Sequence, residues 1–147
     1  MFRWSYCSST LFAATLITAC GGSDGEENSG SNDVEEVSCY GLSPAKTIAV
    51  GDGAPSFSRD AVTIESGETV KWNWAAGEHT VTGDASANFS EDAANACGTD
   101  DTGEFDSGTL SKGDSFCLKF NQTGTFWYQC TVGDHCENGM YAKISVE

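Results

Sequence analysis

At 147 residues and a formal net charge of −15, the chain has room for one domain and repels phosphate backbones and anionic headgroups, so nucleic-acid binding is not expected. Its 17 glycines, short apolar runs and lack of a sustained 3.6-residue stripe argue against a helical bundle and for an all-β chain with many turns. Seven cysteines with no Cys-x2-Cys pair argue against a structural zinc knuckle.

Residues 1–19 read as an export leader: Arg3 near the start, then an apolar run over 11–17 that is too short to span a bilayer. The junction Ile17-Thr18-Ala19-Cys20 resembles a bacterial lipobox, so Cys20 is expected to be lipidated and to become the new N-terminus. Residues 20–38 form a lipid-bearing tether whose Gly/Ser-rich, acidic stretch at 21–37 has almost nothing to bury and is expected to be disordered. Residues 39–147 are the folded domain. On this reading the protein is exported and lipid-anchored, in the periplasm or at the outer membrane.

Short β-type runs then alternate with turns. Strands are predicted at 47–50, 61–64, 69–74, 79–82, 107–110, 115–120, 125–130 and 141–146, with turn signals at Gly51-Asp52-Gly53, Ser66-Gly67, Gly77, Lys112-Gly113-Asp114 and Thr123-Gly124. That spacing suits a Greek-key β-sandwich. Ser90 followed by Glu91 and Asp92 carries an N-cap residue and two first-turn acids, which predicts one short helix before Cys97. Residues 98–106 are acidic and read as a loop. Phe126, Tyr128 and Cys130 share one face by the two-residue period, so Cys130 is expected to point inward at the end of a core strand.

The next stretch brings Cys130, His135 and Met140 within eleven residues, between two β-runs. A thiolate, an imidazole and a thioether on one loop are the soft ligand set that suits copper, and one further imidazole completes a His₂Cys site with a long axial Met. The chain has two histidines in all, and the other is His79; outside the leader its one methionine is Met140. Taken singly, each residue reads more simply as core histidine, gap-filling methionine or buried thiol. Together they predict a single type 1 copper ion held by His79, Cys130, His135 and Met140. Cysteine use agrees with this reading. Once Cys7 leaves with the leader and Cys20 takes lipid, five remain, and a copper-bound Cys130 leaves Cys39, Cys97, Cys117 and Cys136 for two disulfides, with three pairings open.

The pattern Cys-x4-His-Cys-x3-Met before 141–146, with Gly67-Glu68-Thr69-Val70-Lys71-Trp72 and His79-Thr80-Val81 upstream, resembles a cupredoxin. The cysteine directly after the second histidine makes it most similar to the phytocyanin branch. The resemblance spans about residues 45 to 147. It implies a disulfide between Cys97 and Cys136, which leaves Cys39 with Cys117, and an electron port at the exposed edge of His135. Two positions depart from the family. Gly133-Asp134 stands where Pro-Gly is usual, which implies a less rigid loop. Thr80 stands where many members have Asn, so the hydrogen bond that usually ties the two ligand segments does not carry over.

The function this implies is one-electron transfer, with copper capture, buffering or delivery as the alternative. Met rather than Gln as the axial donor implies a higher potential. Oxidases and nitrite reductases with such domains need more copper-binding histidines than this chain holds, so an enzyme is not expected. A binuclear centre needs two loop cysteines closer together than Cys130 and Cys136. Redox proteins are the expected partners. Asp134 and Glu137 beside His135, on an acidic chain, point to a basic cytochrome, and the lipid on Cys20 to a membrane.

Overall fold

The computed structural model of the protein describes residues 33–84, Cys97 and residues 104–147. Ten strands run in order: β1 (Val34–Glu36), β2 (Lys46–Val50), β3 (Ala61–Ile64), β4 (Thr69–Trp74), β5 (Glu78–His79), β6 (Thr82–Asp84), β7 (Leu110–Ser111), β8 (Ser115–Phe120), β9 (Gly124–Gln129) and β10 (Tyr141–Val146). They form two four-stranded sheets, β1-β8-β4-β2 and β3-β10-β9-β6, and a small β5-β7 pair.

The two-residue period decides which side chains go inside. In β4, Val70, Trp72 and Trp74 are buried and the residues between them are not; in β10, Ala142, Ile144 and Val146 alternate in the same way. These two faces meet, with Ile48, Leu118, Phe120 and Tyr128 filling the space between. Tyr128 packs edge-on against Trp72 with ring centroids 5.4 Å apart, and against Phe57 at 4.8 Å. The core therefore sits directly beneath β9, which leads straight into Cys130, and it fixes that strand's height and register.

One residue breaks the alternation for a covalent reason. Cys117 lies between two inward-facing neighbours on β8, yet it is 1 % exposed, because its outer side is covered by a disulfide to Cys39. That bridge bears on the expected tether. Val34–Glu36, inside the stretch expected to be disordered, is strand β1, paired antiparallel with β8 in the register Val34↔Phe120. The edge of β8 offers unpaired backbone groups, Val34 packs against the core, and the Cys39–Cys117 bridge holds the segment there.

The run predicted at 79–82 is two strands. After His79 the chain leaves β7 and crosses to β9. At the crossover the Thr80 N–H points to a sulfur and the Val81 N–H to a side-chain oxygen, so neither continues a ladder. The helix expected at Ser90 lies outside the described residues.

The partner expectation needs correcting. The cysteines that the structure describes are cross-linked, Cys39 to Cys117 and Cys97 to Cys136, and Cys130, the free one among them, is buried. Cysteine chemistry thus staples this fold, and none of these residues is available to carry lipid; Cys20 itself lies outside the described residues. The lipid-held membrane contact is withdrawn, and the basic cytochrome, argued only from the charge of Asp134 and Glu137, is not carried further. The two disulfides point to an oxidising, extracytoplasmic setting.

Candidate metal centre

Two connections at one end of the sandwich build the site. The first leads from β4 into β5, which ends on His79. Its backbone oxygen accepts a hydrogen bond from the Trp74 indole N–H at 3.0 Å, which ties the ligand segment to the core strand before it. The imidazole then lies against two glycines with positive φ. A Cβ on Gly51 would meet the Ala76 carbonyl oxygen and stand 2.5 Å from His79 Nε2, and one on Gly77 would stand 2.7 Å from the same nitrogen, so the ring and the Ala76 backbone occupy the space that side chains there would take. This seat leaves His79 4 % exposed, with Nδ1 turned inward.

The second connection is the β9–β10 loop. Its ends close on each other, with the Cys130 N–H donating to the Met140 carbonyl at 3.0 Å and the Met140 N–H to the His135 carbonyl at 3.0 Å. Inside it the His135 N–H reaches the Val132 carbonyl, the Gly139 N–H reaches the Cys136 carbonyl, and the Asp134 carbonyl accepts both the backbone and the side-chain N–H of Asn138. Positive φ at Gly133 and Gly139 permits these turns. The loop expected to be less rigid for want of proline is thus held by its own hydrogen bonds and by the Cys97–Cys136 bridge beside His135.

These connections bring three donor atoms together. The two Nδ1 atoms are 3.2 Å apart, and Cys130 Sγ lies 3.4 Å from His135 Nδ1 and 3.8 Å from His79 Nδ1. Such a triangle is the size that a first-row metal ion fills with bonds of about 2.0 Å to nitrogen and about 2.3 Å to sulfur. Among the described residues it is the one group of three metal-capable side chains. One thiolate with two imidazoles is the trigonal set of a copper site. Burial, and then the charge on neighbouring His135, hold His79 below the ordinary imidazole value, which keeps its lone pair free for a metal. Met140 is fully buried, and its backbone is bonded to both Cys130 and His135.

The tie between the two ligand segments is present after all, made by threonine. Thr80 Oγ1 accepts the Thr131 backbone N–H at 2.8 Å and lies 3.1 Å from the Thr131 hydroxyl, while the Thr80 N–H donates to Cys130 Sγ at 3.4 Å. Sequence reasoning missed Thr131, although its place directly after Cys130 was a usable signal. Outside the cluster, half-buried His135 and the edge of His79 border a groove of about 540 Å³ whose other walls include Ala54, Pro55 and Val132. Asp134 and Glu137 stand exposed beside His135.

The sequence family described as copper binding proteins, plastocyanin/azurin family, matches residues 45–147. An extracellular serine-rich protein of Arthroderma benhamiae is 30% identical over 114 residues, which are 74% of this chain and 43% of that protein, so the chain spans less than half of that relative's length. Among solved structures, the reduced Cu(I) form of an amicyanin variant superposes with a TM-score of 0.57 at 19% identity, over 78% of this chain and 99% of that one. Reduced auracyanin from the photosynthetic bacterium Roseiflexus castenholzii gives 0.51 at 23% identity, over 73% and 99%. These likenesses show the fold, an all-β cupredoxin-like sandwich.

Proposed function

The chain belongs to the plastocyanin/azurin family of copper-binding proteins, and from that premise we propose that it carries single electrons through one copper ion held by His79, Cys130 and His135, with Met140 as a weak axial donor. The observation that carries this reading is the inward triangle of two Nδ1 atoms and one Sγ with edges of 3.2 to 3.8 Å. Copper bound there supplies the exchange between Cu(II) and Cu(I). The protein's part is to hold the donors still. His79 sits in its glycine seat, Cys130 is buried with an N–H on its sulfur, and the loop bearing His135 is closed at both ends, so little need move between the two oxidation states. The half-exposed His135 gives the electron a path to the surface, and no bond is made or broken on a substrate, which makes this a carrier and not an enzyme.

The same ligands would also serve copper capture and delivery. With His79 and Cys130 buried and the loop that bears His135 cross-linked through Cys136, retention is favoured over release, since handover needs ligands that swing away. We place the protein outside the cytoplasm, in the periplasm, with residues 1–19 as a leader and the ligand loop of the phytocyanin type. The test adds one equivalent of Cu(II) to the full chain. An intense visible thiolate-to-copper band is expected, absent in Cys130→Ser and reversible through repeated reduction and oxidation with the metal retained. Absence of the band in the unmodified chain contradicts the reading, and rapid loss of Cu(I) to a chelator favours delivery.

A further inference from the structure

Beyond the donors, a chain of hydrogen bonds leads from a carboxylate to the site. Asp106 Oδ1 lies 3.0 Å from the Thr82 hydroxyl, and because a carboxylate only accepts, Thr82 donates. The same hydroxyl is also directed as donor at Thr80 Oγ1, 3.0 Å away, so Thr82 stands between the carboxylate and residue 80 and shares its proton between them. Thr80 Oγ1 also accepts from the Thr131 N–H at 2.8 Å, which leaves its own proton for the Thr131 hydroxyl at 3.1 Å. All three of its hydrogen-bonding positions are thereby filled. Asp106 is fixed as well: the Gly108 N–H donates to the same Oδ1 at 2.9 Å. The backbone around it is laced to the crossover after His79, with Gly83 N–H on the Phe105 carbonyl, Ser107 N–H on the Val81 carbonyl and Val81 N–H on Ser107 Oγ.

We propose that Asp106 and Thr82 are positioning residues of the metal centre: the carboxylate anchors the Thr82 hydroxyl, and that hydroxyl holds residue 80 so that its amide stays on Cys130 Sγ. A hydrogen bond to a ligating sulfur draws electron density from it and tunes the metal. Asp106 stands on a segment of its own, 26 residues beyond Thr80, and it acts through Thr82 without touching any of the three donors. The redox part of this inference rests on the copper reading given above; the hydrogen-bond part does not.

The test uses the full chain with Thr82→Val and Asp106→Ala, paired with Thr82→Ser and Asp106→Asn, which keep the hydroxyl and the accepting oxygen. Without copper, the Thr80 amide should exchange with solvent about three- to tenfold faster in the first pair, as loss of one net hydrogen bond implies, and at the native rate in the second. With copper, the first pair should shift the thiolate-to-copper band and the reduction potential, and the second should restore both. Unchanged Thr80 exchange in folded Thr82→Val and Asp106→Ala overturns the proposal, and so does a shifted band with exchange unchanged. Should Thr82→Val fail to fold, Asp106→Ala decides alone, since its side chain is exposed. A chain that binds no copper still gives the exchange result, so failure of the copper reading is distinguished from failure of this one.

Discussion

Thr80 shows how one residue's chemistry survives a change of residue type. A hydroxyl accepts and donates at once, so it accepts the Thr131 N–H at 2.8 Å and the Thr82 hydroxyl at 3.0 Å and still has a proton for the Thr131 hydroxyl. Gly51 shows the opposite constraint, a position where only the absence of a side chain works. Gly51→Ala should cost the metal-free chain about 2 kcal/mol, from the left-handed backbone and from contact with the Ala76 carbonyl and His79, and should move the urea midpoint down. Gly53 has a similar φ of +83° with open space around it, so Gly53→Ala should cost only about 1 kcal/mol. Equal costs at the two positions contradict the seat. His79 also sets a pH dependence. Its folded value is depressed, so as pH falls the unfolded chain takes up that proton first, and stability is lost below the unfolded value near 6.5. Thermal unfolding without copper should therefore show a lower midpoint at about pH 5.5 than at about pH 7.5, a window above the titration of most carboxylates. A flat midpoint contradicts this.

At the scale of elements, regular alternation made much of the sandwich legible. Val70, Trp72 and Trp74 fix β4, and the same two-residue period fixes β10, because one face of each must be apolar. The crossover after His79 was not legible: its backbone groups go to Cys130 Sγ and Ser107 Oγ, and no local pattern announces a partner 26 or 50 residues away. Nor was β1, since Val34–Glu36 reads as a polar linker until the edge of β8 and the Cys39–Cys117 bridge are in place. In the site, the scarcity of His and Met pointed to His79, Cys130 and His135, whereas Thr82 and Asp106 act through tertiary contacts and carry no such sign. The cysteine pairing needed the family resemblance, since spacing alone left three choices. The Cys97–Cys136 bridge closes 39 residues of chain, worth about 4 kcal/mol in the chain-entropy picture. Replacing both by serine should lower stability by that order and broaden the distribution of copper geometries in the EPR spectrum. A variant as stable as the native chain contradicts a structural role for the bridge.

For the molecule as a whole, charge and cross-links act together. A chain of 147 residues with a net −15 repels itself, and the two bridges resist the expansion that this repulsion favours. Raising salt from about 10 mM to about 150 mM shortens the screening length from about 30 Å to about 8 Å, so the thermal midpoint should rise by a few degrees. A midpoint that falls with added salt contradicts this. Fold and site serve one end: a core of Trp72, Tyr128 and Phe120 fixes β9, and two braced connections hold three donors around a space the size of one ion. The measurement that tests this most directly is copper-edge X-ray absorption on the full chain loaded with one equivalent of metal. Two imidazole nitrogens and one short sulfur bond per copper are predicted, with the sulfur lost in Cys130→Ser; a shell of nitrogen and oxygen alone in the unmodified chain would contradict the account.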